Sequence, residues 1–322
     1  MSGLLLTFSE RRDILYELLS LATRLADENH WIVGAVNIGQ NSADPNDVIG
    51  RGADRVFQLQ SSSGLGDLQP QQIGAILQHI GESDELVMAL IGATREGNET
   101  ASRLAQMLGV GCVTGCLDLE VKERKVVAWR SLYGGKFTEK VAINGSPAVV
   151  TVLPRRFTSS PPNSQRKGEV LITEFKLPVP PLKVISSEEK TKSLADLEGA
   201  NIIISGGRGF KKKEDLQLLE ELAKTVGGAV AGTRPLTEDM DWLPADSQVG
   251  LSGKKVNPKL YIACGVSGQI QHIIGMRDSK VVVSINIDEN APIFQESDYY
   301  IVSDLYEVLP TLTRVFKEAL GK

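Results

Sequence analysis

Five short apolar runs in the second half of the chain alternate with segments of helical periodicity, and this alternation constrains the fold more than any other feature. Each run has the length of a buried strand, and the helices between them include Asp215–Val226, which Gly227 and Gly228 end. Strands that alternate with helices in this way indicate βαβ units and a doubly wound parallel sheet. The five predicted strands are Ile202–Ser205, Ala229–Ala231, Leu260–Cys264, Val281–Ile285 and Tyr300–Val302.

A last helix is predicted from Leu305 to Leu320. Its apolar residues recur at helical spacing, so we expect them to form one stripe that faces the sheet. The stripe consists of Val308, Leu309, Leu312, Val315 and Phe316.

The first half begins with the same alternation and then changes. Four strands are predicted at Leu4–Phe8, Ile32–Val36, Val56–Leu59 and Leu86–Leu90, with helices over Arg11–Asn29, Pro70–Gly81 and Asn98–Leu108. Three closely spaced strands follow, and we interpret them as antiparallel strands added to the same sheet or lying beside it. These are Arg124–Trp129, Phe137–Ile143 and Ala148–Leu153.

Residues 154–193 are rich in proline and serine, which predicts a semi-rigid linker between domains. Val170–Phe175 is an extended apolar piece within it that could pair with a sheet. We place the domain boundary near residue 190. The chain is therefore predicted to form two Rossmann-like, doubly wound α/β domains, residues 1–190 and residues 191–322.

Composition excludes several classes of protein. A formal net charge of −5 over 322 residues argues against nucleic-acid binding, which usually needs a basic field. No uncharged apolar run approaches the roughly 18 residues that cross a bilayer. Leu4–Leu6 is too short for a signal-peptide core before Glu10 follows. We therefore expect a cytoplasmic protein without membrane insertion.

Cysteine and histidine are sparse, with three of each in the chain. So few residues support neither a disulfide framework nor a structural zinc site. Cys112 and Cys116 stand at a predicted strand end, and we interpret them as buried small residues rather than metal ligands. Cys264 is interpreted as a core residue of its strand.

Small and polar residues follow each of the five strands of the second half. They are Gly206-Gly207-Arg208-Gly209, Gly232-Thr233-Arg234, the run Gly265–His272, Asn286 and Asp304. In a parallel sheet these ends lie on one edge, where doubly wound folds bind their ligands. Neither G-x-G-x-x-G nor G-x-x-x-x-G-K-[ST] occurs. The pattern predicts a site for a long nucleotide-like molecule that is bound without those fingerprints.

At these loops the sequence resembles the α-subunit family of electron-transfer flavoproteins. The run from Leu260 to His272 is similar to that family's C-terminal signature, and Gly275 and Ile285-Asn286 follow at the expected distance. Ser284 departs from the signature, which usually has alanine there. Further similar segments extend the resemblance over nearly the whole chain: Gly206-Gly207-Arg208-Gly209, Ala291-Pro292-Ile293-Phe294, Gly115-Cys116-Leu117-Asp118-Leu119 and Val150-Thr151-Val152-Leu153-Pro154-Arg155.

The resemblance implies an electron carrier that holds FAD at the carboxyl edge of the second domain's parallel sheet. It implies a heterodimer in which the first domain contacts an electron-transfer flavoprotein β subunit. Electrons would come from flavin dehydrogenases, such as the acyl-CoA dehydrogenases of fatty acid β-oxidation, and pass to a quinone-linked oxidoreductase. A carrier needs no general acid or base, and no constellation for covalent catalysis stands out in the chain.

The resemblance also implies roles for single residues. Arg234 is expected over the flavin ring, where a cation stabilises the reduced forms. Ser252 is expected to hydrogen-bond flavin N5, and His272 to contact the O2 side. Ser267, Gly268, Gln269 and Ile270 are expected at the pyrophosphate and ribityl chain, and Asn286 and Asp304 at the ribose and adenine. The expected set also contains Arg208, Thr233, Gln248, Val249, Gly250, Gly265, Gln271 and Leu305.

Plainer interpretations stand beside these roles. Arg234 could be a solvated loop arginine, Ser252 a turn serine, His272 a packed residue and Asp304 the N-cap of the last helix. Two other functions also stay open. One is an electron-bifurcating flavoprotein in which NADH feeds a second FAD of the β subunit, and the other is a plain adenine-nucleotide binding module.

Overall fold

The chain divides into two units in the computed structural model, Met1–Ile185 and Ser186–Lys322. The structure describes residues 3–38, 43–60, 68–122, 125–133, 137–175 and 197–321. Each unit is built on one sheet, with apolar clusters on both faces of that sheet. The predicted α/β class is confirmed in both units.

The first unit contains a nine-stranded sheet in the order β7-β6-β5-β8-β4-β1-β2-β3-β9. Its strands are β1 Leu4–Phe8, β2 Ile32–Asn37, β3 Arg55–Gln60, β4 Leu86–Gly92, β5 Cys112–Lys122, β6 Lys125–Leu132, β7 Phe137–Ile143, β8 Ala148–Val152 and β9 Glu169–Glu174. Its helices are α1 Arg12–Asn29, α2 Pro45–Gly50, α3 Pro70–Ser83 and α4 Arg95–Leu108. Helix α1 packs on one face of the sheet, and α3 and α4 pack on the other.

The pairs β5–β6 and β6–β7 are antiparallel and the other pairs of this sheet are parallel, so β6 alone runs against the remaining strands. One of the three closely spaced strands, β8, was therefore predicted with the wrong pairing. Strand β8 lies parallel between β4 and β5, with Met88 opposite Ala148 and Cys112 opposite Val149. All five of its residues are buried, as is usual for a parallel strand covered on both faces. The sequence pattern missed β5, because Gly115 adopts a left-handed φ of 69° and interrupts the strand's pairing near Cys116.

The predicted linker is wrong for its first part, residues 154–175, which belong to the first unit. Strand β9 pairs in parallel with β3. Ahead of it, the Asn163 N–H donates to the Gly50 carbonyl at 2.8 Å, and Arg166 forms an ion pair with Asp54 at 2.8 Å. The proline-containing segment is therefore packed against the first unit and leads into strand β9, rather than forming a free connection between domains. The rest of the predicted linker, residues 176–193, lies outside the described residues.

The second unit contains a five-stranded sheet in the order β11-β10-β12-β13-β14, and every pair in it is parallel. Its strands are β10 Ile202–Gly206, β11 Ala229–Gly232, β12 Leu260–Cys264, β13 Val282–Asn286 and β14 Tyr299–Val302. Helices α5 Gln217–Val226 and α7 Leu305–Leu320 cover one face, and α6 Ile270–Met276 covers the other. The predicted doubly wound sheet is confirmed.

The stripe predicted on the last helix is correct except at Val315. Leu309 is fully buried, and Val308, Leu312 and Phe316 pack against the same cluster, but Val315 is 46% exposed. Val315 is six residues beyond Leu309, which rotates it by about 120° around the helix axis. Among the described residues, no helix has the length and apolar character needed to cross a membrane.

Candidate functional site

The register of the second sheet aligns the carboxyl ends of its five strands. Gly206 lies opposite both Gly232 and Cys264, Ile285 lies opposite Cys264, and Val302 lies opposite Asn286. The polar loops that follow these strands therefore share one edge of the sheet, as the sequence predicts. Ligands of doubly wound proteins bind at this edge.

Several glycines of this edge allow loops to approach each other closely. A Cβ atom on Gly207 would lie 2.3 Å from the Gly265 carbonyl oxygen, and one on Gly265, whose φ is +64°, would lie 2.9 Å from the Gly209 Cα. Gly268 has a φ of +88°, and a Cβ there would lie 2.1 Å from the Ile293 nitrogen. These glycines allow close backbone-to-backbone packing between the loops of this edge.

Thr233 presents an unsatisfied polar atom at this edge. Its residue is 8% exposed, and its hydroxyl has no hydrogen-bond partner among the described residues. A buried hydroxyl without a partner costs about 1–3 kcal/mol, so native proteins keep few of them. A ligand that reaches this loop would supply the missing partner.

Two arginines of the edge differ in their surroundings. Arg208 is exposed and pairs with no acidic side chain in the described part of the chain. Arg234 is also exposed, and its Nε atom lies 3.3 Å from a carboxylate oxygen of Glu238 one helical turn away. The charge of Arg208 is therefore available to an anion, while that of Arg234 is partly balanced.

Ser252 is oriented by a buried glutamine. The Gln248 side chain, which belongs to a residue 4% exposed, donates from Nε2 to the Ser252 hydroxyl at 2.9 Å and accepts from the Thr237 hydroxyl at 3.1 Å. Because Ser252 accepts in this bond, its own O–H remains a donor. Ser252 itself is exposed. The arrangement suits the predicted hydrogen bond from this serine to a flavin nitrogen.

His272 lies in the first turn of α6, as predicted, but its imidazole is engaged within the protein. Nδ1 lies 3.1 Å from the Val249 carbonyl oxygen and Nε2 lies 3.0 Å from the Tyr261 hydroxyl. Burial lowers the pKa of His272 to about 4, so the ring is neutral near pH 7. The predicted contact between this ring and the flavin stays a prediction, and the structure adds two internal partners that the sequence did not indicate.

The tautomer of His272 follows from its partners. The Val249 carbonyl can only accept, so Nδ1 carries the proton. Nε2 of the neutral ring then has a bare lone pair, which accepts from the Tyr261 hydroxyl. Tyr261 is completely buried, and this hydrogen bond satisfies its hydroxyl inside the core.

The remaining predicted contacts lie at the same edge. Asp304 is the N-cap of α7 and accepts from the Tyr306 N–H at 2.9 Å, which is the plainer role that the sequence left open. Asn286 donates to the Val266 carbonyl and accepts from the Asp288 N–H, so its amide holds the loop. Leu305 is 6% exposed and packs beneath Gly209 and Gly265. Their contacts with a ligand stay predictions.

The start of α6 presents backbone N–H groups, of which that of His272 already donates to the Gln269 carbonyl at 2.9 Å. The first N–H groups of any helix lack intrahelical acceptors. The predicted pyrophosphate loop lies here: Ser267, Gln269, Ile270 and Gln271 are exposed, and Gly268 is buried beneath them. Val249 and Gly250 lie beside the same helix, because the Leu251 N–H donates to the Gln271 carbonyl at 2.7 Å.

The cysteines and other metal-binding side chains form no competing site among the described residues. No group of three or more metal-ligating side chains occurs there. Cys112 is the first residue of β5, at a strand end as predicted, whereas Cys116 lies within the strand and is completely buried. Cys264 is a buried core residue of β12, as predicted.

Both sheets are doubly wound, and the polar loops of the second suit a dinucleotide, so the chain is a nucleotide-binding α/β protein. The family model described as electron transfer flavoprotein domain matches residues 9–178, and the one described as electron transfer flavoprotein FAD-binding domain matches residues 196–277. The chain belongs to the electron-transfer flavoprotein α-subunit family.

Relatives support this assignment over nearly the full length. "Protein FixB" of Clostridium saccharobutylicum is 35% identical, with 98% of this chain and 96% of that protein covered. "Electron transfer flavoprotein subunit alpha" of Bacillus subtilis is 34% identical, with 96% and 94% covered. The protein of the same description from Syntrophomonas wolfei is 35% identical, with 97% and 98% covered.

FAD is the cofactor of the second domain, and the residues at its sheet edge fit this molecule. Within the described residues the Thr233 hydroxyl has no hydrogen-bond partner and Arg208 has no acidic partner, and these groups and the N–H groups at the start of α6 suit the oxygens of a dinucleotide. The protein is accordingly a flavoprotein of electron transport, from a family of electron carriers rather than classical enzymes.

Proposed function

We propose that this chain is the FAD-carrying subunit of a heterodimer with an electron-transfer flavoprotein β subunit. It would accept electrons from flavin dehydrogenases, such as acyl-CoA dehydrogenases of fatty acid β-oxidation, and deliver them to a quinone-linked oxidoreductase. The observation that carries the proposal is the buried, unpartnered Thr233 hydroxyl on an edge of donors and positive charge. Family membership supports the rest of it.

Bound FAD supplies the redox chemistry, and the chain's residues bind and orient it. Thr233 and Arg208 would meet oxygens of the cofactor, since neither has a partner among the described residues. Arg234 would place positive charge near the flavin ring. Ser252 would donate its O–H to a ring nitrogen, because the hydroxyl uses one of its two lone pairs to accept from the Gln248 amide and its hydrogen is not engaged in that bond.

We also propose different roles for the two units. Residues 1–190 would contact the β subunit, and residues 191–322 would hold FAD. The second family model matches only within the latter range, at residues 196–277, which supports this division.

The test is to co-express the chain with its β subunit and to count flavins in the purified heterodimer. We expect one FAD bound to this chain, and its reduction when a flavin dehydrogenase and its substrate are added. A colourless heterodimer without FAD would overturn the proposal in favour of a plain nucleotide-binding module. FAD that is not reduced by any flavin dehydrogenase would overturn the proposed electron donors.

An electron-bifurcating function is the second candidate. Thr233-Arg234-Pro235-Leu236 and Gly268-Gln269-Ile270-Gln271-His272 resemble variants found in members linked to anaerobic or nitrogen-fixing metabolism. Two FAD molecules in the heterodimer, both reduced when NADH is added, would favour this candidate. One FAD with AMP in the β subunit would favour the simple carrier.

A further inference from the structure

A chain of buried hydrogen bonds runs from strand β12 to the loop Val249–Ser252. The Tyr261 hydroxyl donates to Nε2 of His272, and Nδ1–H of His272 donates to the Val249 carbonyl. Tyr261 is fully buried and His272 is 7% exposed, so solvent water does not compete for these two hydrogen bonds. This chain links the centre of the sheet to the loop that carries Ser252.

The loop is attached to α6 at few points. The Leu251 N–H donates to the Gln271 carbonyl at 2.7 Å, and the His272 ring holds the carbonyl of Val249 two residues earlier. Gly250 lies between them with a φ of +151°, a conformation that other residues rarely adopt. A loop with a permissive glycine at its centre needs fixed points on either side to keep one conformation.

A single ring orientation satisfies this chain. If the ring flipped, its Cδ2–H and Cε1–H groups would replace the two nitrogens and both hydrogen bonds would be lost. If the proton moved to Nε2, Nδ1 would face the Val249 carbonyl without a hydrogen and two acceptors would meet. The Tyr261 hydroxyl donates to Nε2 and therefore favours the tautomer with the proton on Nδ1. In general, the hydrogen bond at one ring nitrogen of a histidine decides whether the other nitrogen carries the proton.

We propose that Tyr261 is a positioning residue of the FAD site: it holds His272 in the Nδ1–H tautomer, and His272 holds the Val249–Ser252 loop against α6. His272 thus acts on the site through the Val249 carbonyl rather than by offering a ring N–H to the flavin. The inference rests on the proposed FAD function of this edge.

The test is a double-mutant cycle on the heterodimer with its β subunit, with FAD affinity measured by flavin fluorescence. Tyr261→Phe removes only the hydroxyl, and we expect FAD to bind about tenfold more weakly, as for the loss of one ordering hydrogen bond. In the His272→Asn background, the Asn side chain can still donate to Val249 without help from Tyr261. There Tyr261→Phe should cause no further loss.

Three further measurements separate positioning from simple destabilisation. Tyr16→Phe removes a partly buried phenol that donates to Asp47 in the first unit, and it should leave FAD affinity unchanged. A ¹H–¹⁵N spectrum of the histidines should show the proton on Nδ1 of His272, and a lower population of that tautomer in Tyr261→Phe. His272→Gln, whose amide cannot reproduce the Nδ1 donor, should bind FAD at least tenfold more weakly than His272→Asn.

Two outcomes would overturn the inference. One is an unchanged FAD affinity in Tyr261→Phe, and the other is an equal loss in the wild-type and His272→Asn backgrounds. If Tyr261→Phe does not fold, equal FAD affinity of His272→Asn and His272→Gln would overturn it instead. A wild-type heterodimer that binds no FAD would contradict the proposed function itself, so the two failures are distinguishable.

Discussion

Threonines at strand ends have opposite surroundings in the two units. In the first unit Thr94, just after β4, accepts from the Gly97 N–H at 2.8 Å and caps α4. Thr151 in β8 accepts from the Gly115 N–H and donates to Asn98 at 2.7 Å. In the second unit the hydroxyl of Thr233, just after β11, is buried without a partner among the described residues.

The difference shows what separates a structural sheet edge from a binding edge. In sequence, both edges consist of small and polar residues after apolar strands. Capping and cross-links use up the hydrogen-bonding capacity of Thr94 and Thr151, whereas Thr233 keeps its capacity at a cost of about 1–3 kcal/mol. The buried hydroxyls of Thr100 in α4 and Ser205 in β10 also have no partner among the described residues. The position of Thr233 in a loop of the polar sheet edge, together with its unspent capacity, is therefore what favours a ligand there.

The largest expected effect concerns two left-handed glycines. Gly268→Ala should destabilise the second unit by about 3 kcal/mol or more, because the new Cβ would lie 2.1 Å from the Ile293 nitrogen at a φ of +88°. Gly109→Ala, at the end of α4, meets no atom within 4 Å and should cost only about 1 kcal/mol for its φ. Urea unfolding measures both, and equal losses would contradict the close packing of the FAD edge.

The two units should also respond to pH in opposite directions. The pKa of His272 falls to about 4 when the chain folds, so the unfolded state binds the proton first as the pH decreases. The second unit should lose about 3 kcal/mol of stability between pH 6.5 and pH 4. His272→Asn should remove this loss.

Glu17 in α1 provides the contrast, because burial raises the pKa of its carboxyl to about 7. The folded first unit holds this proton more tightly than the unfolded chain, so its stability should fall as the pH rises from about 4.5 to 7. The loss should be smaller than for His272, since solvent screens a carboxyl that is only partly buried. Hydrogen exchange that resolves the two units measures how the stability of each depends on pH. Glu17→Gln should reduce the pH dependence of the first unit.

Arg234→Ala should make the FAD potential more negative, because it removes a positive charge that stabilises reduced flavin. A unit charge 4 to 8 Å away is worth about 2–4 kcal/mol at an effective dielectric of 20, and exposure and Glu238 favour the lower value. A shift on the order of 50–100 mV in a spectroelectrochemical titration is expected. Arg314→Ala is the matched control, with the same exposure of 65% and the same i,i+4 glutamate. An unchanged FAD potential in Arg234→Ala would contradict the proposed position of this arginine near the flavin ring.

The smallest expected effect tests the opening comparison directly. Thr233→Val should stabilise the FAD-free protein by about 1 kcal/mol, because it removes an unsatisfied hydroxyl, and it should weaken FAD binding. Thr94→Val should destabilise the protein by about 1 kcal/mol through the lost cap and leave FAD affinity unchanged. Thermal unfolding measures the change in stability of each variant, and FAD titration measures the change in its FAD affinity. The same sign of stability change in both variants would break the comparison.

Much of the fold could be predicted from periodicity alone. Four of the second unit's features are local: apolar strands, the αL glycine that ends α5, the amphipathic α7 and the polar strand ends. Less local features were not predicted: the pairing of β8 was wrong, and Val170–Phe175 was expected to pair with a sheet, as β9 does, but its partner β3 was not indicated. Strand direction depends on which neighbours cover the strand, and a run of buried residues is compatible with either direction.

The sequence by itself determined the class of fold, the sheet edge at which a ligand is expected and, through its motifs, the flavoprotein family. Those properties depend on residue type and spacing along the chain. Only the tertiary structure decided that the Thr233 hydroxyl has no partner among the described residues, that Ser252 accepts from Gln248 and keeps its O–H to donate, and that Tyr261 and Val249 fix the tautomer of His272. The physical reason is that hydrogen-bond satisfaction is a property of neighbours in space, and these neighbours come from separate strands, loops and helices.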